Sequence, residues 1–284
     1  MKHGVLFPCD DNKIINDKEL KKEYEVAKAS NLFDVHIFNY NDWKENEVID
    51  LVDVYNESNN ITIYRGYMMK ESEYSNFYYS LMKSNVYLIT NPFEYKTLHI
   101  FKNIYKMIES DTAKTLFYSF DDKISIDEIK TYFDRFLIKD YVKSLKYKSF
   151  PKCFESRISQ DELDHYVNQF KEMRGNLLTG GICIKEFLDL KLYDGKINEY
   201  RVFYMNKEII SISKNSGQGD YTNVLPKYLL EKYNNLPSPY YTVDFAELED
   251  GTFKIIEVGD GQVSGLSDNQ NYESYYRALN YCIN

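Results

Sequence analysis

The sequence predicts an α/β lobe built on a parallel sheet, followed by α+β lobes that end in an antiparallel hairpin. Three observations carry this. In the first third of the chain, short apolar runs alternate with segments of helical periodicity, the pattern of strands whose crossover helices cover both faces of a parallel sheet. Near the C-terminus, two runs rich in Val, Ile, Phe, Tyr and Thr flank Asp250-Gly251, the strongest short-range sign of a hairpin. Finally, 284 residues, 43% hydrophobic and 28% charged, form an ordinary globular composition with room for two or three closely packed lobes.

Taken in order, 5–7 reads as a buried first strand and 18–29 as a helix with Leu20, Tyr24 and Ala27 on one face. Strands follow over 35–38, 61–64 and 86–89. Between the last two, 72–83 is a helix that aligns Tyr74, Phe77, Tyr78 and Leu81. Pro92 opens another helix, over 93–108. In such sheets ligands meet the loops at the strand ends, which makes Asp10, Arg65 and His99 candidates to line a cleft. For Arg65 the other reading is a helix cap or the partner of a surface acid.

Strands over 115–118 and 136–138 enclose a helix at 126–133 that Ser125 would cap. The composition then turns basic. Lys139, Lys143, Lys146, Lys148 and Lys152 follow one another with Asp140 as the only acid between them, either as point charges suited to phosphate or as a solvated turn. After a polar helix over 160–172, a strand within 179–190 sets Ile182 and Ile184 on one face and Cys183 and Lys185 on the other. A strand over 198–205 carries Glu199 and Arg201 two apart, hence on one face. An acceptor and a guanidinium so placed suit ribose hydroxyls and a transferring phosphoryl group, or a cross-strand ion-pair network. A strand over 209–212, a polar loop over 216–220, a helix over 224–233 and a final helix over 272–281, with Arg277 structural, complete the chain.

If Asp250 and Gly251 are the two turn residues of the hairpin, Asp244 faces Glu257, Phe245 faces Ile256, Ala246 faces Ile255 and Leu248 faces Phe253. Directly opposed like charges destabilise a strand pair, and desolvation makes the repulsion worse. A hard divalent cation offsets it, since Mg²⁺ is held by one or two carboxylates together with substrate phosphates. The plain alternative is a wet edge hairpin with two unrelated acids. The small-residue stretch from Gly259 to Gly265 lets a ligand approach the backbone closely.

Glu257-Val258-Gly259-Asp260-Gly261-Gln262-Val263-Ser264-Gly265, the acid one strand earlier, and Lys139-Asp140-Tyr141-Val142-Lys143-Ser144 upstream together resemble the ATP-grasp superfamily. Within it they resemble the clade named for one arginine and two lysines. The resemblance runs through nearly the whole chain. It implies an ATP-grasp fold: a pre-ATP-grasp parallel-sheet lobe over 1–112, a small lid lobe over 113–190 and a C-terminal lobe with the metal-binding hairpin over 191–284. It also implies roles. Lys139 becomes the first phosphate-contacting lysine and a catalytic residue, with Lys143 and Lys146 in the basic lid and Lys185 at the phosphates. Glu186, Phe187 and Leu188 become the hinge that reads adenine, Glu199 the ribose acceptor and Arg201 the catalytic arginine. Asp244 and Glu257 hold Mg²⁺. Many relatives place an asparagine two residues after the metal glutamate; here that position is Gly259, and Asp260 stands in as a metal ligand. Arg65, through a bidentate grip on a carboxylate, and His99 fall on the substrate side.

The implied function is ATP-dependent ligation of a carboxylate to an amine through an acyl phosphate. ATP and Mg²⁺ are the cofactors, and small-molecule or peptide acids and amines the partners. The same groups would support a kinase-like transfer to a hydroxyl, or a nucleotide-binding regulatory module without turnover. Lys and Arg number 35 against 44 Asp and Glu, and a net charge of −9 argues against nucleic acid or an anionic membrane as partner. Cys9, Cys153, Cys183 and Cys282 form no close pair, as expected of reduced thiols in the cytoplasm. Neither a signal-peptide core nor a transmembrane helix is expected.

Overall fold

The structure, a computed structural model, describes residues 2–49, 51, 61–145, 149–214, 217–219 and 223–284. Lys146 and Lys148 of the basic run, and Ser216 and Asp220 of the polar loop, lie outside the described residues.

The first sheet is parallel, as the alternating pattern requires. β1 (Gly4–Cys9), α1 (Lys18–Ser30), β2 (Asp34–Asn39), α2 (Tyr40–Asn46), β3 (Ile61–Tyr64), α3 (Glu71–Lys83) and β4 (Tyr87–Leu88) follow one another, and the strand order is β2-β1-β3-β4. β1 is buried along its whole length, which is why it reads as one apolar run. The single helix expected over 93–108 is two, α4 (Pro92–His99) and α5 (Phe101–Ile108). Ile100 between them is extended, and the Phe101 amide donates to the Tyr141 carbonyl at 2.8 Å instead of continuing the helix.

The second sheet is antiparallel, with order β5-β8-β6-β7. Its elements are β5 (Thr115–Tyr118), α6 (Ile126–Tyr132), β6 (Arg135–Asp140), β7 (Phe154–Glu155), α7 (Gln160–Arg174) and β8 (Ile182–Glu186). Ile182 and Ile184 enter this sheet's own core, while Cys183 joins the core of the next, the alternation expected of β8. A small hairpin that sequence analysis passed over then joins β9 (Leu192–Tyr193) to β10 (Lys196–Ile197). Its turn is Asp194-Gly195, with φ of 52° and 76°.

The third sheet, order β12-β11-β13-β14, holds β11 (Glu199–Met205), β12 (Glu208–Lys214), β13 (Tyr240–Glu247) and β14 (Phe253–Asp260), with α8 (Lys227–Lys232) and α9 (Tyr272–Ile283) packed around it. One core cluster joins β1 and α1 to α9, Phe203 and Met205, so the first and third sheets share an interior.

The β13–β14 hairpin differs from expectation near its turn. Its loop has three residues: Leu248 and Thr252 close it at 2.8 Å, and Gly251 adopts a φ of 83°. Phe245 therefore pairs with Ile255, Ala246 with Lys254 and Glu247 with Phe253. The register shifts between Asp244 and Phe245, leaving Ile256 as the extra residue of a bulge, and beyond it Asp244 pairs with Glu257 as expected. The extra loop residue and the bulge cancel.

Candidate active site

Three neighbouring strands bring one ladder row together. Arg201 on β11 pairs with Asp244 on β13, which pairs with Glu257 on β14. Arg201 grips Asp244 with two hydrogen bonds, Nε to Oδ1 at 2.9 Å and Nη2 to Oδ2 at 2.6 Å, and donates from Nη1 to the Gly265 carbonyl at 3.1 Å. Glu257 is held from the other side by Lys143, Nζ to Oε1 at 2.9 Å. Burial pushes the Asp244 pKa up, and Arg201 works against that. For Glu257 burial acts in the same direction, but Lys143, Lys139 and Arg201 outweigh it and bring the pKa to about 2.

The second sheet faces this row with two lysines. Lys185 pairs with Leu137 and Lys139 with Cys183 across β6 and β8, which puts both lysines on one face of the sheet. Their Nζ atoms stand 4.5 and 5.0 Å from the centre of the Phe101 ring. Lys185, 6% exposed, also donates to the carbonyl of the bulged Ile256 at 3.2 Å and so ties the two sheets together. Burial, then the charge of Lys139, lowers its pKa to about 7. Lys143 reaches the site through a local turn. The buried Asp140 carboxylate accepts the amides of Val142 and Lys143 at 2.7 and 2.6 Å, and Arg174 balances its charge at 2.8 Å.

Lys139, Lys143, Arg201, Glu257, Phe101 and His99 line one cleft of about 190 Å³. His99 stacks on Tyr95, and burial, followed by Lys143, pushes its pKa down to about 4. Glu186 ends β8 and Phe187 follows it, their amides donating to Lys114 and Arg135 carbonyls, while the Leu188 amide has no partner among the described residues. Glu199 lines not this cleft but a second cavity beside Arg201.

Two expected ligands spend their side chains elsewhere, although Asp260 is itself among the residues that line the cleft. Asp260 stands three positions from Glu257 on the same strand, so its side chain leaves the opposite face. It is fully buried, its Oδ1 accepts from the Gln262 amide and side chain at 3.0 and 3.2 Å, and burial raises its pKa to about 7. The position on Glu257's own face is Gly259. A Cβ there would meet the Ser264 and Thr242 hydroxyls at 3.3 and 3.5 Å, and those hydroxyls lie 2.9 Å apart. Arg65 is 1% exposed and its donors are spent inside the protein. It pairs with Glu23 at 2.6 Å and donates to the carbonyls of Gly261 and Ser264, the latter at 2.8 Å. It fastens the 261–264 segment to the first sheet rather than gripping a substrate. Asp10 folds its own loop by accepting the Asn12 and Ile14 amides.

Sequence reasoning missed Phe101, Thr242, Ser264 and the buried Gln262. The oxygen of Gln262 takes the Tyr64 amide, and its nitrogen donates to the Tyr74 hydroxyl at 2.6 Å. Period-two spacing from Asp244 and Glu257 would have singled out Thr242 and Gly259.

Two carboxylates opposed across one strand pair are hard oxygen donors, which suits Mg²⁺. Among the described residues no three His, Cys, Asp or Glu side chains converge on a metal, so such a site needs oxygens from its substrate. No helix among the described residues is long and apolar enough to cross a membrane.

Residues 130–279 match the family model for the ATP-grasp domain, R2K clade family 3. No curated protein matches the sequence. Solved structures of similar fold include the D-cycloserine synthetase DcsG, 9% identical, with 99% of this chain and 100% of that one covered at a TM-score of 0.65. The ATP-grasp ligase PsnB, complexed with a minimal precursor, is 9% identical over 98% of each chain, with a TM-score of 0.60. The D-alanine–D-alanine ligase from Bacillus anthracis is 14% identical over 100% of this chain and 97% of that one, with a TM-score of 0.60. At such identities the likeness is one of fold.

Proposed function

The chain belongs to the R2K clade family 3 of ATP-grasp domains, and from that premise we propose that it joins a carboxylate to an amine with ATP, through an acyl phosphate. The observation that carries this reading is the row Arg201–Asp244–Glu257, faced across one cleft by Lys139 and Lys143.

A carboxylate is a poor acyl donor. Transfer of the γ-phosphoryl group to a carboxylate oxygen releases ADP and leaves a mixed anhydride, which an amine attacks to give an amide and phosphate. The protein contributes position and charge. Lys139 and Lys185 neutralise phosphate oxygens, and Lys185 binds them as an ammonium once phosphate charge restores its proton. Arg201, anchored on Asp244, keeps N–H groups for the phosphoryl group in flight and for the tetrahedral adduct. His99 is neutral and lines the cleft beside Lys143, where it orients the carboxylate substrate. The open Leu188 amide suits an adenine nitrogen. Asp244 and Glu257 would hold Mg²⁺, which when bound neutralises and aligns phosphate oxygens. We take the carboxylate and amine partners to be small molecules or peptides; the ATP-grasp ligase PsnB was solved with a precursor peptide, PsnA2.

The test is phosphate release from ATP with pooled acids and amines, followed by mass analysis of the product. An amide supports the reading. A stable phosphoester would replace it with phosphotransfer, and ATP binding without any release would replace it with a regulatory role.

A further inference from the structure

Four cations surround the cleft, and they are held in two ways. Arg201 is forked on Asp244 and Lys143 pairs with Glu257, each against a carboxylate. Lys139 and Lys185 have no carboxylate partner among the described residues. The group beside both is the ring of Phe101, its centre 5.0 and 4.5 Å from their Nζ atoms. Resting on the nucleotide site of the reading above, we propose that Phe101 is a positioning residue: its ring holds Lys139 and Lys185 for the phosphates by cation–π attraction and leaves their charge unspent.

The choice of partner has a chemical consequence. A carboxylate would neutralise a buried ammonium and then compete with phosphate for it. An aromatic face attracts a cation through its quadrupole, most strongly where water is excluded, and adds no opposing charge. Phe101 and Lys185 are each only 6% exposed, so the contact is dry. Lys185 spends one N–H on the Ile256 carbonyl, and an ammonium has three. The ring also favours the charged form of Lys185, against the burial that pushes its pKa down.

The backbone aims the ring. Ile100 is extended between α4 and α5, so Phe101 opens a new helix with its amide on the Tyr141 carbonyl, and its side chain lines the cleft. Behind it stand the rings of Tyr105 and Phe117, with centres 5.7 and 5.9 Å away. The two lysines come from β6 and β8, whereas Phe101 comes from the helix ahead of that sheet, and the ring is the support on which both meet. The plain alternative is that Phe101 only fills the core cluster it shares with Tyr105 and Tyr141. That role needs volume and apolarity, not electron density on the ring face.

The experiment separates the two. A non-hydrolysable ATP analogue with Mg²⁺ is titrated calorimetrically into the full chain, with Phe101 replaced site-specifically by mono-, di- and pentafluorophenylalanine, and into Phe101→Leu. Fluorine withdraws density from the ring face in steps at nearly constant size. Kd should rise along the series, to about 2- to 30-fold at its end, the span of a cation–π contact between exposed and desolvated sites. Phe101→Leu should lie at or beyond that end, while Tm without nucleotide stays level across the fluorinated chains. A Kd that is flat or falls along the series, or that rises only where the ligand-free Tm drops, makes Phe101 a core residue and overturns the proposal, with the ligase reading untouched. Absence of binding to the wild type overturns both.

Discussion

Arg201 and Asp244 are register partners on adjacent strands, and the guanidinium closes on the carboxylate through two hydrogen bonds of 2.9 and 2.6 Å. That fork fixes the arginine in the direction of the cleft. It also ties up only part of the guanidinium, since the five N–H groups of an arginine exceed the three bonds made here.

Replacing that fork with a point charge should cost catalysis more than nucleotide binding. Arg201→Lys keeps a positive charge but loses the planar geometry. We expect kcat to fall by about 10²–10³-fold, the scale seen when one oriented oxyanion donor is removed, while the thermal shift with ATP and Mg²⁺ persists. Phosphate-release kinetics beside a thermal-shift assay separate the two effects.

Lys185 gives the reaction a pH limb. In the free protein, burial and then Lys139 hold its pKa near 7, so above neutrality it loses the charge that its proposed role at the phosphates requires. The value of kcat/KM for ATP, which reports on the free enzyme, should fall by about tenfold per pH unit above that point. Lys185→Arg, charged throughout, should flatten the limb.

Asp260 gives a pH dependence to stability. Its folded-state pKa is raised to about 7 from 3.8, so between those values the native state holds a proton that the unfolded chain has released. Stability should therefore decline as pH rises through that window, by on the order of 1 kcal/mol per unit, and level off above it. Asp260→Asn should remove this slope in urea denaturation and retain the Mg²⁺-dependent nucleotide shift. A carboxylate that held the metal would lose that shift.

Arg65 and Glu23 form a buried pair with side chains 2% and 3% exposed. Removing one partner strands the other, at a cost of about 3–5 kcal/mol. Arg65→Met alone should destabilise by that amount, whereas Arg65→Met with Glu23→Leu should cost clearly less than the sum of the single changes. Denaturant midpoints for the three variants check it.

Much of this site is legible in the sequence because strand geometry is periodic. Two-residue spacing set Glu199 and Arg201 on one face, and the Asp-Gly turn set Asp244 opposite Glu257, although the three-residue loop and the Ile256 bulge had to cancel for that pairing to hold. The same parity rule, carried three positions past Glu257, would have turned Asp260 away from the metal side. Arg65 could not be read locally. Its acid partner Glu23 sits a helix and two strands earlier, and the carbonyls it fastens lie almost two hundred positions later.

The central claim is that Asp244 and Glu257 hold a metal-bound nucleotide between the two antiparallel sheets. The most direct measurement is the unfolding free energy with ATP alone and with ATP and Mg²⁺, for the wild type and for Asp244→Asn combined with Glu257→Gln. At a hundred times Kd, ligand should add about 2.7 kcal/mol to the wild type only when Mg²⁺ is present, and the double variant should lose that gain. An equal gain in both proteins, or none in either, would contradict the account.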